Sequence, residues 1–114
     1  MSLVTSILII TIVFLSTVAS RHSCSEGTPR SAIPSAAIFH RCVVEYTGGK
    51  TTYYGSNDPE PDYSGMRVID PTHIKCAFNM TAIYCTCYKS ACNRPPVSAF
   101  NSLKIHLEEI NRLR

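Results

Sequence analysis

Ala82-Ile83-Tyr84-Cys85-Thr86-Cys87-Tyr88-Lys89-Ser90-Ala91-Cys92-Asn93 is the stretch whose reading decides the fold. Its first half mixes aromatic and branched residues with cysteine, a composition that suits a pleated, half-buried strand. On a strand, Cys85 and Cys87 project from the same face, about 6–7 Å apart along it. That placement makes them poor partners for each other. Cys92 follows Cys87 by five residues, so those two can close a small loop. Cys76 precedes Cys85 by nine residues, the distance across a hairpin. Cys24 and Cys42 remain for each other. Six cysteines allow many pairings, and spacing favours 24–42, 76–85 and 87–92 among them. If strain is absent, loop-closure entropy assigns these bridges about 3, about 2.5 and about 2 kcal/mol respectively. The sum is comparable to the whole stability of a small domain.

The rest of the chain explains why such bridges are needed. It has 114 residues and allows one domain at most. Residues 1–20 hold thirteen apolar residues and no charge, and small residues at Thr17, Ala19 and Ser20 precede Arg21. This is the layout of a secretory leader cut near Arg21. Retained, the segment would serve as a membrane anchor at the short end of spanning length. In residues 21–114 only 18% are Leu, Ile, Val or Phe, seventeen of 94. Small secreted domains with so little core are held by disulfides. The formal charge of +3 and the lack of a basic run argue against nucleic-acid binding.

Composition also divides the mature chain. No leucine occurs from Ser16 to Ser102, and Leu103, Leu107 and Leu113 then appear close together. Pro95-Pro96 stands just before that change and interrupts regular structure. Residues 21–94 read as a cysteine-rich body, and 95–114 as a linker and tail. The body reads as β. Ile38–Tyr46 is a strand rich in branched and aromatic residues, Gly48-Gly49 a hairpin turn, and Thr51–Tyr54 its return. Gly55–Gly65 is a loop, Met66–Ile69 a short strand, and His73–Phe78 with Thr81–Tyr88 a last hairpin. Ser25–Ser35, with two prolines and few apolar residues, reads as a loop. In the tail, Phe100, Leu103, Leu107 and Ile110 form one apolar helix face. Ser98 or Asn101 suits its N-cap. Lys104–Glu108 and Glu108–Arg112 are opposite charges one turn apart. Packing against the body is the expected use of the apolar face.

Cys76…Cys85-x-Cys87-x4-Cys92-Asn93 resembles the C-terminal signature of the three-finger proteins, the group of Ly-6/uPAR domains, snake neurotoxins and activin-receptor ectodomains. The resemblance covers residues 24–93 and is specific over the last eighteen. It implies a small disulfide-rich all-β fold, three-finger-like, here followed by a C-terminal amphipathic α-helix. It implies that Cys76–Cys85 closes finger three, Cys87–Cys92 the small terminal loop, and Cys24–Cys42 spans finger one. It makes Asn93 the structural asparagine that ties the fingers together. The chain departs from the pattern in two ways. It lacks the pair joining finger one's second strand to finger two, and Thr86 separates the usually adjacent Cys85 and Cys87. This describes a divergent six-cysteine member.

No catalytic constellation is visible. His22, His40, His73 and His106 are scattered, without the nucleophile or acid/base partners that catalysis requires. Asp58, Glu60 and Asp62 alternate with prolines and lack the glycine and final glutamate of a calcium loop. A zinc site at the cysteines departs from the usual ligand spacing, and secretion favours their oxidation. No cofactor is therefore expected. Asn79-Met80-Thr81 is an N-glycosylation acceptor at the expected tip of finger three. Between Cys42 and Cys76, Tyr53, Tyr54, Tyr63, Met66 and Arg67 are the candidate partner-binding residues, since Tyr and Arg are favoured at hot spots. Tyr46 and Tyr84 are expected in the core. Of the adjacent Tyr53 and Tyr54, one should face out. No apolar segment of the kind a glycolipid-anchor signal needs follows Cys92.

These features imply a secreted, extracellular, monomeric binding protein. Its partner would be a cell-surface receptor or channel, with contact to membrane only if residues 1–20 are kept as an anchor. The alternatives are a cysteine-rich effector or protease inhibitor of another fold, and a membrane-tethered receptor-like ectodomain.

Overall fold

The computed structural model describes residues 21–70 and 73–113. The leader expected over residues 1–20 lies outside them. The elements in chain order are β1 (His22–Glu26), β2 (Ile33–Phe39), β3 (Arg41–Thr47), β4 (Lys50–Ser56), β5 (Arg67–Ile69), β6 (Lys75–Phe78), β7 (Ala82–Cys87) and α1 (Ser98–Arg112). β1 and β2 form a two-stranded sheet, and the others a five-stranded sheet in the order β4-β3-β7-β6-β5. All pairings are antiparallel. The protein is thus a small, mostly-β, disulfide-rich fold with one C-terminal helix.

Local chemistry sets the β3–β4 hairpin. Gly48 and Gly49 both have positive φ, 61° and 78°, the combination a two-residue turn requires to follow the twist of its strands. The pairing Thr47↔Lys50 closes it. The sequence reading of Ile38–Tyr46 as one strand is corrected: the chain bends at His40, and β2 and β3 join different sheets. The reading of Ser25–Ser35 as a loop is corrected as well, because only residues 27–32 connect β1 to β2. Neither strand shows a clear apolar alternation. What orders them is pairing with each other and the burial of Cys24, a tertiary effect that overrides weak strand propensity.

Disulfides join Cys24–Cys42, Cys76–Cys85 and Cys87–Cys92, the three pairs that spacing favours. Cys76 lies directly opposite Cys85 across β6–β7, and Cys42 opposite Cys87 across β3–β7. Cys24, Cys42 and Cys87 make one buried cluster at the end of the molecule where the hairpins converge. Asn93, fully buried, completes it. Its Oδ1 accepts from the Ser25 amide at 2.8 Å, and its Nδ2 donates to the carbonyls of Ser25 at 3.0 Å and Val43 at 2.8 Å. One side chain therefore bridges β1 and β3. Phe39 locks the β1–β2 hairpin to β4 by lying on Gly55, where a Cβ would stand only 2.0 Å from the ring.

The five-stranded sheet has two different faces, as period-two alternation dictates. One face presents Val44, Tyr53, Ile83 and Cys85, and α1 covers it with Phe100 and Leu107. Phe100 is fully buried, and Leu103 packs against the same cluster. Two expectations for the helix are corrected. Its N-cap is Val97 rather than Ser98 or Asn101, and no side chain caps it. Its ion pair is Glu109–Arg112 at 3.7 Å, while Lys104 turns inward, 5.6 Å from the centroid of the Tyr46 ring. That inward turn gains a cation–π contact and covers a core tyrosine.

Replacing Phe100 with alanine would leave a cavity between α1 and the sheet. The expected cost is about 3–5 kcal/mol, read as a lower denaturation midpoint with the disulfides intact. An unchanged midpoint would contradict the packing of α1 on this core.

Candidate binding face

The sheet face turned away from α1 carries the site. Arg41 and Val43 of β3, Tyr54 and Ser56 of β4, and Tyr84 and Thr86 of β7 share it by alternation. The loop after β4 folds over this face and adds Asp58, Asp62, Tyr63 and Met66 as a wall. Between loop and sheet runs an open groove of about 500 Å³.

Arg41 holds the loop in place. It is only 7% exposed although charged. Its Nε donates to the Asp58 carbonyl at 3.0 Å, and its terminal nitrogens donate to the Pro59 carbonyl at 3.3 Å, Thr86 Oγ1 at 3.3 Å and Ser56 Oγ at 3.4 Å. Among the described residues no carboxylate lies in salt-bridge range of it. Backbone carbonyls and hydroxyls satisfy the planar donor fork instead, a task suited to Arg rather than Lys. Further along, Asp62 Oδ1 accepts from both the amide and the hydroxyl of Ser64, tightening the turn.

Glu60 is the second anchor. It accepts hydrogen bonds from Tyr63 at 3.1 Å, from Lys75 Nζ at 3.3 Å and from the Tyr88 hydroxyl. Burial pushes its carboxyl up, but the bonds from Tyr88, Lys75 and Tyr63, with the Lys75 charge, outweigh burial and hold it below the ordinary 4.5. The same contacts act oppositely on the phenols. Tyr63 and Tyr88 are each pushed up to about 12, first by burial and then by the bond to Glu60 and its charge. Tyr54 is also raised to about 12, by burial and then by Glu45, whose Oε2 accepts from its hydroxyl at 3.1 Å. The face therefore offers neutral phenols anchored by two carboxylates.

The residues singled out from sequence divide three ways. Tyr54, Tyr63 and Met66 come together on the groove. Tyr53 does not: it is 3% exposed and sits in the core under α1, so it is withdrawn from the surface available to a partner. Arg67 is exposed on β5 but borders a different groove, beside α1. Tyr46 packs partly buried against the core, whereas Tyr84 lines the binding face. Asn79 is exposed at the β6–β7 turn. Arg41, Glu60 and Tyr88 join the site without being among the residues that the sequence singles out. Arg41 carries one available signal, a charge placed directly before the apolar run Cys42-Val43-Val44. All six cysteines are disulfide-bonded, so none is a thiolate ligand, and among the described residues no His/Cys/Asp/Glu group is arranged to hold a metal. Among them also, no helix is long and apolar enough to cross a membrane.

Two pH limits follow from these anchors. A carboxyl held low in the folded state stabilises above its unfolded value and loses that contribution as pH falls through the folded one. The Glu60 contribution is therefore present above about pH 4.5 and disappears in more acid solution. Phenols held high lose their contribution as pH rises, here from about 10 to about 12. Denaturant unfolding across pH should show both declines, with Glu60→Gln flattening the acid one. An acid limb identical in wild type and Glu60→Gln would contradict the anchoring role.

Comparison of the chain with family models, with curated proteins and with solved structures found no match in any of the three.

Proposed function

We propose that this chain is a secreted, non-enzymatic binding protein of three-finger type, a ligand or modulator of a cell-surface receptor or channel. The observation that carries the reading is architectural. The hairpins β1–β2, β3–β4 and β6–β7 leave one disulfide-packed end, and the broad sheet between them is open to a partner on the face opposite α1. The disulfide pairing and the bonds of Asn93 across β1 and β3 support the three-finger reading. Disulfide bonding of all six cysteines supports an oxidising, extracellular location.

The open face has the character of an interface. Tyr54, Tyr63 and Tyr84 give large, fairly rigid contact area, with Met66 as an adaptable apolar neighbour. Their hydroxyls are already oriented by Glu45 and Glu60 in two of the three cases, which lowers the ordering cost of binding. Arg41 is consumed by the loop, so it serves as scaffold rather than as a contact.

The test is binding of the oxidised chain to intact cells. We expect saturable binding that reduction abolishes and that Tyr63→Ala weakens about tenfold or more, the loss of a hot-spot residue. Tyr63→Phe keeps the ring and removes only the bond to Glu60, so it should weaken binding less. Ile33→Ser, on the exposed strand of the first hairpin, should leave affinity unchanged. Equal affinity of wild type and Tyr63→Ala would contradict this face as the binding surface.

A further inference from the structure

The β6–β7 turn holds the Asn79-Met80-Thr81 acceptor in a defined shape. Asn79 Oδ1 accepts three hydrogen bonds, from the Thr81 amide at 2.8 Å, Thr81 Oγ1 at 2.9 Å and the Ala82 amide at 2.9 Å. The oxygen side of the amide is thus turned into the hairpin. Nδ2, the atom that would carry a glycan, has no partner among the described residues. Asn79 also lines a groove of about 370 Å³ between this turn, β5 and α1. Phe78, Met80, Ile83, Leu103, Leu107 and Ile110 make its apolar walls. Arg67 and His106 supply polar groups at the same groove, and neither is in an ion pair among the described residues.

We propose that this groove is the seat of the first sugar of an N-linked glycan on Asn79, which rests on the reading of Asn79 as a glycosylated residue of a secreted chain. The occupant is indicated by tethering: an Asn79-linked sugar starts at the rim of the groove. The chemistry also fits. A pyranose presents C–H faces and a hydroxyl edge. Phe78, Met80 and Leu103 suit the former, and the donors of Arg67 and His106 suit the latter. A mainly apolar pocket with a few polar groups is the usual composition of a small-ligand site, and its volume is within the usual range. Transfer forms a bond between Nδ2 and the anomeric carbon of a lipid-pyrophosphate-linked oligosaccharide. The anomeric carbon–oxygen bond breaks, the lipid pyrophosphate leaves, and the amide gives up one proton. The linked sugar then bridges the β6–β7 turn to α1 and covers apolar surface that includes Met80, 42% exposed without it. On this reading the groove is filled by the chain's own modification, and the Tyr54–Tyr63–Tyr84 face remains for the partner.

The test uses the full chain secreted from a eukaryotic host, with occupied and unoccupied fractions of the same preparation separated on a lectin. Mass spectrometry reports whether Asn79 carries a glycan, which is then trimmed enzymatically to its first N-acetylglucosamine. Nuclear Overhauser contacts from that sugar to Leu103 and His106, with severalfold slower amide exchange in residues 103–110 than in the unoccupied fraction, are the expected result. Leu103→Glu should keep occupancy and lose those contacts. An apolar fluorescent probe, anilinonaphthalene sulfonate, should bind the unoccupied fraction severalfold better. An occupied Asn79 whose sugar touches no residue of α1, or whose groove takes the probe equally well, overturns the seat while leaving glycosylation standing. An unmodified Asn79 overturns the glycosylation reading and the seat with it.

Discussion

The side-chain amide of Asn93 is the interaction on which the other parts depend. It is fully buried and spends both of its polar atoms on backbone groups of β1 and β3. Those backbone groups belong to different sheets and have no direct ladder between them. Without the amide the Ser25 N–H and C=O would lose these partners, at about 1–3 kcal/mol for each group. The Cys24–Cys42 bridge limits how far β1 and β3 can separate in the unfolded chain, and Cys87–Cys92 closes the short loop that ends beside Asn93. The Cys24–Cys42 bridge ties the first hairpin to β3, and the amide adds hydrogen bonds across the same junction.

From that fixed end the five-stranded sheet acquires two faces with different tasks. The face carrying Val44, Tyr53, Ile83 and Cys85 is apolar and is closed by α1. The helix supplies apolar residues that the body lacks, since seven of the seventeen Leu, Ile, Val and Phe side chains of residues 21–114 follow Pro96. The opposite face carries Arg41, Tyr54, Tyr84 and Thr86 and is bordered by a loop pinned through Arg41 and Glu60. With α1 closing the core from one side, the other side can remain polar, grooved and available.

Much of this was legible in the sequence, and the parts that were not have a common cause. The disulfide pairing followed from spacing because each bridge spans eighteen residues or fewer. The helix face followed from its period, and so did the split between Tyr53 and Tyr54. Which of the two tyrosines faces inward depended on the side taken by α1, a non-local fact. β1 and β2 are not legible in the sequence because His22–Glu26 and Ile33–Phe39 are ordered by their mutual pairing and by Cys24 rather than by an apolar pattern of their own. The anchoring roles of Arg41 and Glu60 are not legible because partners such as Thr86 and Tyr88 lie 45 and 28 residues away. Nothing in an isolated Arg or in a Glu between prolines announces contacts at that distance. The helix cap and charge pairs differ from local expectation for the opposite reason. Local preferences for Ser98 and for Lys104–Glu108 gave way to burial of Val97 and to the Tyr46 ring.

The junction held by the Asn93 amide is expected to be the last part of the molecule to open. Native-state hydrogen exchange of the Ser25 amide, whose only acceptor among the described side chains is Asn93 Oδ1, tests it most directly. This amide is expected to exchange only through global unfolding, with a protection free energy matching that from denaturant melts. Exchange of Ser25 as fast as that of the β3–β4 turn at Gly48 and Gly49 would contradict it.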